Sequence, residues 1–192
     1  MDDKRVEELV LEIIGELGYD KTEYAETARR VASMYREMMT QDDGDGELKM
    51  FSVEGYGDMT LFRDIPFYSL CEHHILPFFG TVDVAYISPG NVFGASKIPR
   101  LVRKCSRGLN MQEKITMRVA DEIYETIQGE PKGCMVIVHA AHTCMSMRGA
   151  RMPAVVTTSA LRGLFMSPNV KMEALTLLAN SGHTGANNAF LP

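Results

Sequence analysis

The sequence lacks the features of a secreted or membrane-spanning protein. The opening segment MDDKRVEELVLEIIGEL starts acidic and becomes amphipathic, so it does not have the charged-then-apolar layout of a signal peptide. No apolar run approaches the roughly 20 residues that span a bilayer. Without a secretory signal, the 4 cysteines are expected to be thiols or metal ligands rather than a disulfide framework. We therefore expect a cytoplasmic protein with no membrane partner.

The chain also lacks an excess of positive charge, low-complexity tracts and repeats. A net charge of −5 argues against a general affinity for nucleic acid. The hydrophobic content of 45% and the charged content of 23% are those of an ordinary globular protein. A length of 192 residues suits one compact domain with a short helical extension.

The order of periodic segments predicts a mixed α+β fold. Two helical stripes within residues 6–38 predict two N-terminal helices. The segment Gly80–Ser96 alternates and then turns at Pro89, which predicts a β-hairpin. Two helices follow, with Ser96 and Asn110 as their expected caps. The segments GCMVIVHAAHTCMSM and PAVVTTSAL are predicted to be strands, and SPNVKMEALTLLA is predicted to be a closing helix. Strand pairs on either side of a helix pair indicate an antiparallel sheet.

The segment SLCEHHILPFFG places a cysteine, a glutamate and two histidines in four adjacent positions. Cys71 and His74 are three positions apart, so one tight or helical turn would bring their sulfur and nitrogen to the same ion. A metal usually reaches only one of two adjacent histidines, which leaves His73 beside the ion. The segment therefore predicts part of a metal site.

A second segment, HTC, completes the predicted site. Side chains two positions apart on a strand point to the same face, so His142 and Cys144 are expected to face one site. Cys71, His74 and Cys144 then form a set of sulfur and nitrogen donors that favours Zn²⁺ over Mg²⁺ or Ca²⁺. Three protein ligands leave one tetrahedral position for water, which indicates a catalytic metal. His73 and His142 are left beside the metal as acid or base near neutral pH.

The remaining cysteines and histidines have simpler interpretations. Cys105 lies on a helical stripe and Cys134 inside a strand, so both are expected to be core residues. His139 has the opposite strand parity from the HTC pair and is expected on the sheet face, while His183 lies in a tail rich in Gly and Asn. At this point, a structural zinc that only stabilises the fold is still an alternative to a catalytic zinc.

A basic constellation begins in the segment GASKIPR. Lys97 and Arg100 stand one turn apart at a predicted helix start, where free backbone N–H groups favour an anion. Arg148 comes four residues after the second predicted zinc cysteine. Two interpretations of these basic side chains remain: they bind phosphate, or they are solvated surface charges. Glu113 is similarly ambiguous, because a carboxylate accepts two N–H groups from a guanine edge or caps the helix that Asn110 begins.

Successive motifs in the chain resemble those of GTP cyclohydrolase I, a family of zinc enzymes that make dihydroneopterin triphosphate. The motifs are SLCEHHILPFFG, GASKIPRLV, NMQEKIT, HTCMSMRG and TSALRGLF, and they follow the family's order and spacing. The resemblance runs from about Glu26 to about Phe165. It implies the tunnelling fold, in which an antiparallel sheet with paired helices assembles into a barrel. The usual assembly in this family is a homodecamer of two pentameric rings, with active sites between subunits.

The resemblance assigns a role to each matching residue. The zinc ligands correspond to Cys71, His74 and Cys144, and the catalytic positions correspond to His73, His142 and Ser96. The positions that read guanine or hold the triphosphate of GTP correspond to Gln112, Glu113, Lys97, Arg100, Arg148 and Arg30. The implied reaction is attack of zinc-activated water on C8 of GTP, with a proton from His142 to the imidazole nitrogen and loss of formate. Its product, 7,8-dihydroneopterin triphosphate, begins pterin and tetrahydrofolate biosynthesis.

The sequence also predicts domain boundaries, with a flexible tail indicated by composition, and it differs from the family at several positions. We expect a helical extension over 1–48, a tunnelling-fold catalytic domain over 49–180 and a flexible tail over 181–192. The family usually has Pro, Arg, Gln and Val where this chain has Ala28, Gly108, Asn110 and Met111. The last three directly precede the guanine-reading pair, so substrate affinity is the property we expect these differences to affect most.

Two other functional classes stay open. One is a related tunnelling-fold enzyme that acts on another purine or pterin, although the pair Gln112 and Glu113 with the basic set argues against a non-phosphorylated substrate. The other is a zinc-stabilised assembly protein without catalysis, which predicts a closed shell of four protein ligands.

Overall fold

The computed structural model describes residues 1–40 and 48–180. The chain divides into two compact units, Met1–Gln41 and Asp42–Pro192. The predicted flexible tail, together with His183, lies outside the described residues. The domain boundaries at residues 48 and 180 stay predictions.

The first unit contains the two helices that the apolar stripes predict. They are α1 (Asp3–Glu16) and α2 (Ala25–Met39). The Asp2 carboxylate caps α1 by accepting a hydrogen bond from the Arg5 backbone N–H at 3.2 Å. Ala28 and Ala32 on α2 are buried, which allows the two helices of this unit to approach closely.

Within residues 48–180, the second unit consists of strands and α-helices, with one short 3-10 helix (Leu164–Met166). The strands are β1 (Met50–Ser52), β2 (Met59–Cys71), β3 (Pro77–Ile87), β4 (Asn91–Phe93), β5 (Leu109–Asn110), β6 (Gly133–His142) and β7 (Val155–Gly163). The helices are α3 (Lys97–Ser106), α4 (Gln112–Thr126), α5 (Thr143–Ser146) and α6 (Pro168–Asn180). In the part of the chain that the structure describes, no helix is long and apolar enough to cross a membrane.

Five strands form the main sheet in the order β5-β2-β3-β6-β7. The pairs β2–β3, β3–β6 and β6–β7 are antiparallel, which confirms the α+β class and the antiparallel sheet. The short strand β5 is the exception, because it pairs with β2 in parallel and sets Cys71 opposite Asn110. Helices α3 and α4 lie between the strand pairs along the chain, as predicted.

The predicted hairpin over Gly80–Ser96 is wrong. A turn does form at Pro89 and Gly90, but β3 and β4 do not pair with each other. Strand β4 pairs with β1 in a separate two-stranded sheet, where Phe93 stands opposite Met50. Pairing with β2 on one edge and with β6 on the other takes both edges of β3, so no edge is left for β4.

The predictions at three element ends are also corrected. Strand β6 ends at His142, so Cys144 lies in the short helix α5 rather than on the strand with His142. Ser96 occupies the N-cap position of α3, but its side chain makes no capping hydrogen bond to the described residues. The N-cap of α4 is Met111, not Asn110, whose side chain is buried and bonds elsewhere.

The main core lies between one face of the sheet and helices α3 and α4. The apolar positions of α3 repeat at helical spacing, and all of them are buried: Ile98, Leu101, Val102 and Cys105. They pack with Val82, Val84 and Tyr86, which alternate along β3 towards the same cluster. Each buried aliphatic side chain stabilises the fold by about 1.5–3 kcal/mol. A second cluster containing Met135, Phe165 and Ala174 packs α6 on the other face.

This topology brings several element ends together. Strand β2 ends at Cys71, β3 begins at Pro77, and antiparallel pairing sets the end of β6 beside the start of β3, with Phe78 opposite His142. Strand β5 lies beside the end of β2 and leads directly into α4 at Gln112. The candidate site therefore lies where these ends meet.

We expect Gly80→Ala to destabilise the protein strongly. A Cβ atom at position 80 would lie 1.8 Å from the His139 carbonyl oxygen and 2.8 Å from the Ala140 Cα. Both are backbone atoms of the paired strand, so relief needs a shift of β6 and should lower the free energy of unfolding by about 2 kcal/mol or more. Chemical denaturation would measure this change.

The matched control is Gly57→Ala, because nothing lies within 4 Å of a Cβ atom at Gly57. We expect this variant to change the free energy of unfolding by less than about 0.5 kcal/mol. Equal stability of the two variants would contradict the close approach of β3 and β6.

Candidate metal and active site

A tight turn after β2 positions the CEHH side chains. The backbone N–H groups of His74 and Ile75 donate to the Cys71 carbonyl at 3.3 and 2.9 Å, and the Cys71 N–H donates to the Leu76 carbonyl at 2.8 Å. Ile75 has a φ of 54°, a left-handed conformation that a β-branched residue rarely adopts. This conformation turns the chain back into β3. A left-handed Ile is a strained backbone conformation, and it persists only where the surrounding structure holds the backbone in place.

Three donor side chains meet at this turn. One ligand atom from each of Cys71, His74 and Cys144 lies within 4.8 Å of the other two. The Cys71 Sγ and the His74 Nδ1 are 3.7 Å apart. Thr143 anchors the start of α5 by donating to the Pro77 carbonyl at 2.5 Å, which holds Cys144 beside the turn. The structure thus brings together the three predicted ligands, although Cys144 arrives from a helix.

The donor set fits a zinc ion. Two thiol sulfurs and one imidazole nitrogen are ligands that Zn²⁺ prefers, and all three can come within bonding distance of one centre. Burial raises the pKa of the Cys144 thiol, and the neighbouring Cys71 raises it further. Two adjacent thiolates repel each other, and a bound cation would remove this repulsion.

His73 lies beside the cluster and is not part of it. Its Nδ1 is 3.8 Å from the Cys71 Sγ, and its Nε2 is 3.9 Å from the Glu72 carboxylate. The side chain is 59% exposed, so it can reach a substrate. Glu72 is in turn held by the Lys114 ammonium at 2.7 Å and by its own N–H to the Asn110 carbonyl at 3.0 Å. These contacts fasten the turn to β5 and α4.

His142 stands at the end of β6 with its ring held on two sides. It stacks on Phe78, with ring centroids 4.7 Å apart and planes 5° apart. Its Nε2 lies 2.8 Å from the Gln112 Oε1. Burial lowers the pKa of His142, and the negative charge of Glu113 opposes that shift. A neutral, oriented imidazole near neutral pH follows from this environment.

The two residues at the start of α4 point in different directions. Gln112 is 2% exposed, and its side-chain amide bonds to groups on β6 and β7. Glu113 is exposed, and its charge acts on His142. The resemblance assigns both residues to guanine recognition. Of the two, only Glu113 has an exposed side chain that a ligand could reach.

The predicted phosphate-binding side chains lie on α3 and after α5. Lys97 is half-buried and Arg100 exposed in the first turn of α3, and neither forms an ion pair within residues 1–40 and 48–180. Ser96 is exposed directly before them. Arg148 is exposed, and its positive charge favours the thiolate form of Cys144, which places it near the cluster.

Arg30 belongs to the first unit, where it is exposed on α2. Its contact with a triphosphate stays a prediction.

The interpretations of the other cysteines and of His139 are confirmed. Cys105 and Cys134 are 3% and 0% exposed, and burial raises the pKa of each thiol to about 12. Both are therefore unreactive core residues. His139 lies on the sheet face away from His142, with its Nδ1 2.9 Å from the Thr157 hydroxyl.

Sequence reasoning missed two supporting residues. Phe78, which stacks on His142, is in the apolar run after CEHH, but its partner is 64 positions away and no local pattern marks it. Asn110 resembled a helix cap, yet its Nδ2 donates to the Ser69 hydroxyl at 3.1 Å and to the Arg107 carbonyl at 2.9 Å. Its Oδ1 accepts from Arg118. Asn110 thus secures the strand beside Cys71.

Comparison with known proteins shows which family this chain belongs to. A model of the GTP cyclohydrolase I family matches residues 4–179. The chain is 43% identical over 175 residues to GTP cyclohydrolase 1 of Geobacillus kaustophilus (strain HTA426), covering 88% of this chain and 92% of the relative. It is 45% identical over 165 residues to GTP cyclohydrolase 1 of Aquifex aeolicus (strain VF5), covering 85% and 87%. The chain belongs to the GTP cyclohydrolase I family.

Proposed function

We propose that this chain converts GTP to 7,8-dihydroneopterin triphosphate and formate at a zinc site formed by Cys71, His74 and Cys144. The observation that carries the proposal is the group of three ligand atoms within 4.8 Å of one another, in a chain of this family. Both relatives carry the name GTP cyclohydrolase 1, which supports GTP as the substrate and this reaction as the activity. The reaction would supply the first intermediate of pterin and tetrahydrofolate biosynthesis.

The proposed chemistry divides between the metal site and the flanking histidines. When bound, zinc supplies Lewis-acid activation of water near neutral pH. His142 would give a proton to one imidazole nitrogen of GTP as the bond between that nitrogen and C8 breaks, and hydrolysis of the formyl group left on the other nitrogen would then release formate. His73, which is exposed beside the cluster, and Ser96 carry protons during the later ribose rearrangement and ring closure.

The substrate is proposed to bind through opposite charges at its two ends. The Glu113 carboxylate accepts N–H groups of the guanine edge, next to Gln112 at the start of α4. Lys97 and Arg100 take the triphosphate, because they lie at a helix start without an ion pair among the described residues. The other triphosphate-binding side chains are proposed to be Arg148 and Arg30.

We propose a homodecamer of two pentamers as the working assembly, with active sites completed between subunits, in the cytoplasm. Strand β7 forms one edge of the described sheet, and Val155 on it is 49% exposed. An open sheet edge of 9 residues supports assembly, because it offers unpaired backbone groups to a second copy of the chain.

Incubation with GTP tests the function directly. We expect the protein to release formate and a pterin that becomes fluorescent after oxidation. Cys144→Ala should lose both this turnover and stoichiometric zinc, because it removes one of three ligands. Metal analysis beside the assay measures both properties.

The matched control is Cys134→Ala, which alters a buried cysteine outside the cluster. It should keep its zinc, whatever it loses in stability. Zinc and turnover both retained in Cys144→Ala would overturn the ligand assignment, and no formate from the wild-type protein would overturn the function.

The adjacent histidines should give opposite results on substitution. His74→Ala should lose or weaken zinc binding, because His74 is in the three-ligand cluster. His73→Ala should keep zinc and slow turnover by about a hundredfold to ten-thousandfold, the usual size of a proton-transfer contribution. Zinc analysis and initial rates measure the two effects.

His139→Ala serves as the control for both variants, since His139 lies on the sheet face away from His142. It should keep zinc and near-normal turnover. Zinc loss in His73→Ala with zinc retained in His74→Ala would show that the two roles are exchanged.

Substitution of Arg100 should separate phosphate recognition from base recognition. Arg100→Ala should weaken GTP binding by about tenfold and leave guanosine binding nearly unchanged, because it removes a charge-assisted contact to phosphate. Titration calorimetry with both ligands measures the difference. The control is Arg103→Ala, on the same exposed helix surface. An equal loss for both ligands in Arg100→Ala would argue against the phosphate contact.

A further inference from the structure

The side-chain amide of Gln112 has an orientation that its neighbours dictate. Its Nε2 lies 3.0 Å from the Val138 carbonyl oxygen and 3.0 Å from the Val156 carbonyl oxygen. It also lies 3.1 Å from the Thr158 hydroxyl. Carbonyl oxygens only accept hydrogen bonds, so the atom that faces them must be the NH₂ group. The amide oxygen must then face the other way.

That amide oxygen determines where His142 carries its proton. The Gln112 Oε1 is 2.8 Å from the His142 Nε2 and can only accept a hydrogen bond. The ring nitrogen facing it must therefore be an N–H donor. In a neutral imidazole one nitrogen carries the hydrogen, so Nδ1 is left bare.

The ring has little freedom to avoid this arrangement. Phe78 stacks on it with planes only 5° apart, which fixes the plane of the imidazole. Gln112 is 2% exposed at the first position of α4, and its amide joins β6 to β7. An inverted amide would set its oxygen against two carbonyl oxygens, which is repulsive.

We propose that Gln112 is a positioning residue that fixes the Nε2–H tautomer of His142, rather than a residue that reads guanine through its side chain. The catalytic consequence rests on the proposed function, while the tautomer does not. With Nε2–H bound to Gln112, the nitrogen that faces a substrate is Nδ1. Nδ1 takes up a proton from the attacking water and then gives that proton to the purine nitrogen as the bond from this nitrogen to C8 breaks, so the ring returns to the neutral Nε2–H tautomer. Recognition of the guanine edge then falls to the exposed Glu113.

The first test reads the tautomer directly by ¹⁵N magic-angle-spinning NMR of the full protein labelled at histidine. The spectrum is recorded at pH 8, because this pH is above the ordinary histidine pKa of about 6.5 and histidine rings are then mostly neutral. Subtraction of the His142→Gln spectrum isolates the two nitrogens of His142. We expect a protonated Nε2 and a bare Nδ1. A protonated Nδ1 with a bare Nε2 in the wild-type protein would overturn the proposal.

Gln112→Met should change that spectrum, because it removes the acceptor that holds the Nε2–H. We expect the Nδ1–H tautomer to appear in this variant. The matched control is Thr158→Val, which disturbs the same amide network through Gln112 and Thr116 without touching His142. It should keep the wild-type tautomer, so a shift in both variants would mean that sheet packing rather than Gln112 sets the tautomer.

Kinetics then separate positioning from base recognition. Gln112→Met should lower kcat by about tenfold or more, with KM for GTP within about threefold and the preference for GTP over inosine triphosphate unchanged. Glu113→Gln should instead weaken that preference, since inosine triphosphate lacks the exocyclic amino group. Thr158→Val should keep kcat within about twofold even where its melting temperature falls.

The outcomes distinguish this proposal from the proposed function. If Gln112→Met kept kcat and lost the preference for GTP, Gln112 would read the base and the positioning role would be wrong. If the wild-type protein released no formate but showed the Nε2–H tautomer, the function would fail while the role of Gln112 stood.

Discussion

The site depends on the meeting of two thiol sulfurs and an imidazole nitrogen within 4.8 Å. Nothing local in the chain brings Cys144 to Cys71, which is 73 positions away. Antiparallel pairing of β3 with both β2 and β6 does so, because it sets the end of β2, the start of β3 and the end of β6 side by side. The core under α3 and α4 stabilises that pairing, so the candidate metal ligands are positioned by the packing of the second unit.

Local chemistry was predictable from the sequence, and long-range pairing was not. The three-residue spacing of Cys71 and His74 implies a turn, and the turn is present with its hydrogen bonds. The grouping of Cys144 with them was correct for a partly wrong reason, since the strand ends at His142 and a short helix carries the cysteine. The hairpin prediction failed because periodicity shows that a segment is a strand but not which strand it pairs with.

The same limit explains Asn110 and Gln112. Both precede or begin a helix, and their residue types suit capping or ligand binding. Their side chains instead satisfy buried groups that come from distant strands: Asn110 bonds to Ser69, and Gln112 bonds to Val138 and His142. Buried polar groups are nearly always paired, but sequence does not reveal the partner. In this family member, Asn110 and Gln112 are thus tied to the sheet whose strand ends lie beside the candidate metal ligands.

X-ray absorption at the zinc edge of the purified, zinc-loaded protein tests the central claim most directly. The cluster predicts a first shell with two sulfur ligands and a single imidazole, from Cys71, Cys144 and His74. The signal of one imidazole should disappear in His74→Ala and remain in His73→Ala. A wild-type shell with two imidazoles would contradict the account, because a second histidine would then be a ligand and the position needed for catalysis would be closed.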